Sequence, residues 1–226
     1  MSDDLKKQAA LAALDEIQSG MVVGLGTGST ATHFIRGLGE KVRAGMKVVA
    51  IPTSEESRRL AEQVGVPLTT FKNHPEIDVT VDGADEVSPH LDLIKGLGGA
   101  LVREKIVAHA SRRVVIVVDE TKLVRQLGTK TVIPVEVITL AADRLMVQLG
   151  QLGGEAGIRQ KDGKPFVSDN GNTILDWKHG VIEDPAALER QLKAMTGVVD
   201  SGIFAGVANV VIVAASSGIR ILGKVS

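Results

Sequence analysis

The run Met21-Val22-Val23-Gly24-Leu25-Gly26-Thr27-Gly28-Ser29-Thr30 reads as a short buried strand, a Gly-Thr-Gly loop and the start of a helix. Upstream, Leu5, Ala9, Ala12, Ala13 and Ile17 repeat at helical spacing, with Ser2 as a cap and Gly20 as the stop. Downstream, the helix that opens near Ser29 closes by Gly45, and residues 47–51 form the next strand. Ser54 precedes a helix that runs to Val64, with Glu55 and Glu56 at the positive end of its dipole. Residues 77–81 make a strand, 100–110 a helix and 114–118 a strongly apolar strand. Strands alternating with helices predict an α/β fold: a Rossmann-like, mostly parallel sheet with helices on both faces. Ligands of such sheets sit beyond the carboxyl ends of the strands. Gly24, Asp82 and Asp119 all fall at that end.

The pattern changes after Thr131. Residues 132–138 read as a strand, 141–149 as a helix and 155–160 as a strand. Asp162-Gly163 signals a hairpin turn. Residues 166–177 read as mostly strand, interrupted at Asp169-Asn170-Gly171. Asp184-Pro185 opens a helix to Met195, and residues 198–204 are a strand. That βαββαβ order is the ferredoxin-like arrangement. The apolar strand at 207–215 returns to the first pattern. The expectation is a ferredoxin-like α+β domain at 132–205, inserted into a Rossmann-like domain made of 1–131 and 206–226.

Of 226 residues, 44% are hydrophobic, enough for a packed core. Lys and Arg number 26 against 27 Asp and Glu, a balance that argues against nucleic-acid phosphate as the main partner. Four Phe, one Trp and no Tyr make no base-stacking platform. Without Cys there are no disulfides, thiolate metal sites or cysteine nucleophiles. The first seven residues are charged and lack a signal-like apolar run, and no apolar stretch reaches membrane-spanning length. A cytoplasmic protein without a membrane partner is the expectation.

Glycines let the backbone approach an anion, and the following helix adds its N-terminal dipole. Thr27, Gly28, Ser29 and Thr30 are therefore candidates to cradle a phosphate monoester. No Lys follows the last glycine, so this is not a Walker A loop, and Gly24-x-Gly26-x-x-Ser29 only approaches the dinucleotide fingerprint. A strand-to-helix turn that needs glycine for geometry alone fits these residues as well. Asp82-Gly83-Ala84-Asp85-Glu86 follows the 77–81 strand. Close carboxylates push their proton affinities apart and can pass protons between neighbouring oxygens. The same carboxylates could instead cap a turn or bind Mg²⁺. Lys95 next to the site and five His without ligand spacing disfavour a metal. Lys95, in the turn Lys95-Gly96-Leu97-Gly98-Gly99, can stabilise negative charge on a sugar oxygen. Glu104 can act as a general base, although Arg103-Glu104-Lys105 taken alone looks like an ordinary solvated helix face. Lys122 is either a second phosphate holder or a surface lysine.

Taken together, the Gly24–Thr30 run, the acidic loop at 82–86, the Lys95 glycine turn with Arg103-Glu104-Lys105, and Asp169-Asn170-Gly171-Asn172 resemble type A ribose-5-phosphate isomerase along essentially the whole chain. The resemblance implies interconversion of ribose 5-phosphate and ribulose 5-phosphate in the pentose phosphate pathway, no cofactor, no metal, and a homodimer or dimer of dimers. It implies Glu104 as the proton-transfer base, and Asp82 and Asp85 in ring opening and hydroxyl-proton movement. Lys95 would assist the charged intermediate. Thr27, Gly28, Ser29, Thr30, Gly83, Ala84, Gly96, Leu97, Gly98 and Lys122 join Asp82, Asp85 and Lys95 in holding the substrate. Leu97 departs from a continuous glycine run; its backbone donor survives, so altered packing is expected rather than lost activity. Two rival readings are a non-catalytic sugar-phosphate sensor and another sugar-phosphate enzyme, such as an amino-sugar phosphate deaminase or a lactonase. A sensor would need the phosphate loop but not the full acid–base set.

Overall fold

The computed structural model describes residues 2–223; of Ser2 only the backbone is described, so the cap expected at that side chain lies outside the described residues. The chain divides into two compact units. One runs to Ala84 and continues at Arg103–Lys122 and from Val207 onward; the other comprises Asp85–Val102 and Leu123–Gly206.

The first unit holds a six-stranded sheet in the order Gly218–Gly223, Val210–Ala215, Ser111–Asp119, Ile77–Asp82, Val22–Leu25, Val49–Pro52. All neighbours are parallel except the Gly218–Gly223 edge strand, which folds back antiparallel on Val210–Ala215. Every residue of Val210–Ala215 is buried, as a central strand covered on both faces requires. Val22 and Val23 are adjacent yet join different apolar clusters, because successive side chains leave opposite faces of a strand. Val23, Leu25, Val81, Val115 and Val117 pack with Ala9 and Leu14 from the amino-terminal segment and with Phe34, Ile35 and Leu38 of the Ser29–Arg43 helix. Val22, Ile51 and Ile77 pack with Val107 of the Leu101–His109 helix. Ser54 caps the Glu55–Val64 helix by accepting from the Ser57 N–H at 3.1 Å, and Gly65 ends it at φ 80°.

The Gly218–Gly223 strand was not expected from the sequence. Its residues are mostly exposed, so it lacks the apolar run that marks the inner strands. The Ser111–Asp119 strand also starts earlier than the apolar residues suggest. Arg112 and Arg113 sit in it, the first paired with exposed Glu76 and the second, half-buried, with Glu16.

In the second unit, the strands Val198–Ser201, Ile133–Val137, Thr173–Lys178 and Glu155–Ile158 form an antiparallel sheet in that order. With helices Ala142–Gln151 and Pro185–Lys193 this is the expected ferredoxin-like βαββαβ arrangement. Val135, Val137, Leu145, Leu149, Leu175, Trp177 and Leu192 form its core, and the Trp177 indole N–H reaches the Gly153 carbonyl at 2.8 Å. Asp184 caps the second helix, with Pro185 in its first turn. Asp162 and Gly163 both take positive φ in the tight turn between Gln160–Lys161 and Lys164–Pro165.

Two expectations are corrected here. The interruption expected at 169–171 is wider than read, and from Phe166 to Asn172 only Val167 makes a bridge: Ser168, Asn170 and Asn172 all donate side-chain hydrogen bonds to Glu136 Oε1, at 2.9, 3.0 and 2.9 Å, and these bonds curl the segment into a loop. The 198–204 strand breaks at Gly202, whose N–H goes to Pro134 and whose carbonyl accepts from Lys95 N–H. Beyond the break, Ile203–Phe204 pairs with Leu93–Ile94, which pairs with Glu86–Val87, in a small antiparallel sheet. Fully buried Glu86 anchors this sheet to the next loop: its carboxylate accepts from the N–H groups of Gly128, Lys130 and Thr131 at 2.6–2.7 Å. Removing it strands those donors, so Glu86→Ala is expected to cost about 3 kcal/mol, read as a lower urea midpoint.

Candidate active site

The glycine loop leaves the sheet at Leu25, beside the end of the Ile77–Asp82 strand, with Leu25 opposite Val81. Gly28 stands before the Ser29–Arg43 helix at φ 98° and ψ 178°, a backbone region that only glycine occupies easily. It offers no side chain to cap the helix, and the first turn carries no acidic residue. The leading N–H groups and the positive end of the dipole therefore stand over exposed Ser29 and half-buried Thr30, a favourable seat for an anion.

Asp82 ties this loop to the acidic loop. It is buried, and its Oδ1 accepts from the N–H groups of Thr27 at 3.0 Å and Gly83 at 2.7 Å. A Cβ on Gly26 would overlap the Asp82 carboxylate, so glycine is needed there for close approach. The Thr27 side chain turns inward, to a hydroxyl cluster of Thr53 at 2.7 Å and Ser54 at 2.8 Å. Ser57 joins that cluster and donates to the Gly26 carbonyl at 2.5 Å. Thr53 and Ser57 were missed as loop supports. The hydroxyl-rich run Thr53-Ser54-Glu55-Glu56-Ser57 after a strand end was the available signal.

Glu104, in the same unit, lies on the Leu101–His109 helix and is only 4% exposed. Its neighbour Arg103 reaches outward to Glu55 at 3.1 Å, and the Arg58 and Arg103 guanidiniums hold the Glu55 carboxyl below the usual carboxylate range. Asp119 ends its strand and accepts from the Thr121 N–H and hydroxyl, which starts the single turn carrying half-buried Lys122.

The second unit carries the remaining residues. The Asp85 N–H donates to Ile94 at 2.8 Å, and its Oδ2 accepts from the Leu97 N–H at 3.0 Å, which joins the acidic loop to the glycine turn. Lys95 is 3% exposed, with its Nζ 5.6 Å from the centre of the Phe204 ring. Gly96 and Gly99 take φ 95° and 85°, whereas Leu97 and Gly98 do not take positive φ. This explains why Leu is accommodated at 97: its side chain is exposed and its N–H still serves Asp85.

Among the described residues, no group of three or more His, Asp or Glu stands where it could hold a metal ion. No described helix is long and apolar enough to cross a membrane.

A parallel sheet with a loop suited to an anion and buried carboxylates past its strand ends is the frame of an α/β enzyme that acts on a phosphorylated metabolite. Comparison with known proteins narrows this class. The family model described as Ribose 5-phosphate isomerase A (phosphoriboisomerase A) matches residues 49–218. Ribose-5-phosphate isomerase A of Rhodopseudomonas palustris is 51% identical over 225 residues, covering 96% of this chain and 97% of that one. The Roseiflexus castenholzii protein of the same name is 48% identical over 223 residues, covering 97% and 95%. A solved D-ribose-5-phosphate isomerase in complex with phospho-erythronic acid superposes with a TM-score of 0.96 at 41% identity, covering 99% of this chain and 100% of that one. The chain belongs to the ribose 5-phosphate isomerase A family, and its reaction is the isomerisation of ribose 5-phosphate in the pentose phosphate pathway.

The turn geometry yields a contrast. Gly98→Ala should fold as the parent does. Gly96→Ala places a Cβ 2.6 Å from that of Leu101 at a positive φ and should lower the melting temperature and the turnover together. Thermal melts and steady-state assays on the two variants check this.

Proposed function

We propose that Glu104 is the base that carries the proton between C2 and C1 of the open-chain pentose phosphate. The observation that supports this most is its burial. A glutamate on a solvated helix face would be exposed, as Ile106 and His109 are on the same helix, yet Glu104 is 4% exposed. A carboxylate kept from water is a stronger base than an exposed one.

A proton next to a carbonyl is weakly acidic, so the enzyme must stabilise the enediolate formed when it leaves. In this reading Glu104 takes the C2 proton of the aldose and returns it to C1. The C–H electrons form the C1–C2 double bond, and the negative charge collects on the sugar oxygens. The Lys95 ammonium offsets that charge. Asp82 and Asp85 open the ring and move the hydroxyl protons between O1 and O2. Thr27, Gly28, Ser29 and Thr30 hold the phosphate through backbone N–H groups and the Ser29 and Thr30 hydroxyls, with Lys122 as a second cation. Gly83, Ala84, Gly96, Leu97 and Gly98 contribute backbone to the pentose end. Remote phosphate binding fixes the orientation of the reacting carbons. The working assembly in this reading is a homodimer or a dimer of dimers in the cytoplasm.

Purified protein mixed with ribose 5-phosphate should form the ketose; binding without turnover would instead favour a sensor. Glu104→Gln should keep KM near the parent value and lose most of kcat, on the order of a thousandfold; undiminished turnover would remove Glu104 from the base role. Ser29→Ala should mainly raise KM. Ribose without its phosphate should react far more slowly; if it reacts equally well, the loop is not the phosphate seat.

A further inference from the structure

We propose that Arg159 is a positioning residue for the isomerase reaction: through the Gly96 and Leu97 carbonyls it sets the direction of the N–H groups that the glycine turn presents to Asp85 and to the substrate. The proposal rests on the reading that Asp85 and this turn serve the pentose.

Arg159 lies 62 residues beyond Leu97 in sequence, at the joint between the Glu155–Ile158 and Gln160–Lys161 strands. Its backbone is held on both sides: its N–H donates to Ile174 at 2.9 Å, and its carbonyl accepts from Phe166 at 2.8 Å. Its side chain is 9% exposed. Nε reaches both Asp176 carboxylate oxygens, at 3.1 and 3.0 Å, and Nη2 donates to Oδ1. Asp176 stands opposite Gly157 in the sheet, and the absent side chain there opens the diagonal to Arg159. With that edge of the fork given to Asp176, Nη1 donates to the Gly96 carbonyl at 2.8 Å and the Leu97 carbonyl at 2.9 Å.

The consequence follows from peptide geometry. None of the described peptide bonds is cis, and in a trans peptide C=O and N–H point in opposite directions. Drawing the two carbonyls toward one guanidinium directs the N–H groups of Leu97 and Gly98 the other way. Leu97 N–H then meets Asp85 Oδ2 at 3.0 Å. Phe166 stiffens the arrangement: its ring lies 6.0 Å from the guanidinium carbon and packs so close to Gly99 that a Cβ there would overlap it. Because Asp176 neutralises Arg159, the pair acts on the turn by orientation rather than by net charge. A lysine carries the charge but not the planar fork, and cannot grip Asp176 and two carbonyls together.

The test compares Arg159→Lys and Asp176→Asn with the parent by steady-state kinetics, thermal melting and amide hydrogen exchange. Arg159→Lys should fold, lose kcat by roughly 10- to 100-fold and change KM much less. Exchange should rise at Leu97, whose N–H is bonded to Asp85, while the four-stranded sheet stays protected. Asp176→Asn, which keeps the guanidinium but loosens its hold, should show a smaller loss of the same kind, and it decides the matter if the lysine variant does not fold. Parental kcat in a folded variant overturns the proposal, as does a loss of kcat accompanied by faster exchange throughout the sheet. Asp85→Asn, measured alongside, keeps the two readings apart. Full turnover in that variant removes Asp85 from the chemistry, whereas the Arg159 result reports on the turn itself.

Discussion

Asp82 Oδ1 accepts two backbone N–H groups, one from each of two loops, and much of the first unit is arranged around that atom. The two loops meet because the strands ahead of them are parallel neighbours and end at the same level. Gly26 must lack a side chain for them to come so close, and the hydroxyls of Thr53, Ser54 and Ser57 hold Thr27 from behind. The donors answer an electrostatic difficulty as well. A carboxylate beside a loop suited to a phosphate would repel its ligand, and two N–H groups aimed at the carboxylate offset part of that charge.

The second unit shows a different use of buried charge. Glu86 holds the loop at 128–131, Glu136 holds the loop at 168–172, and Arg159 holds the turn at 96–97. Burying a charged group is unfavourable unless its partners are well placed. Here the partners are mainly loop backbone and short polar side chains, so each charge fixes the course of an irregular segment that regular hydrogen bonding cannot define. The unit presents shaped loops on a rigid antiparallel sheet.

The sequence was most legible where burial and period coincide. The apolar runs at 114–118 and 207–215 read as inner strands because nothing else accounts for such runs, and Asp184-Pro185 and Ser54 announced helices through their capping chemistry. The loop residues stood out because glycines and carboxylates cluster just past strand ends. Structure that depends on partners distant in sequence was not legible. Asp169-Asn170-Gly171 marked a break in the 166–177 run, but how far the loop extends depends on the Glu136 carboxylate, more than thirty residues away. Arg159 carries no local mark, since its partners lie at Gly96, Leu97 and Asp176. Glu104 sits in a charged run that reads as a solvated helix face, and only the fold shows it buried.

The interleaving of the two units bears on how the protein is made. Val210–Ala215 is the neighbour of Ser111–Asp119 in the sheet, yet nearly a hundred residues separate them. A chain emerging from the ribosome therefore carries an apolar strand with one open hydrogen-bonding edge until Val210–Ala215 appears. Neither unit is contiguous, so no single cut yields either one whole. The ferredoxin-like segment is synthesised inside that interval, and its folding shortens the loop the late strand must close. Nascent chains stalled before residue 207 should thus be the species that most need a chaperone's shelter.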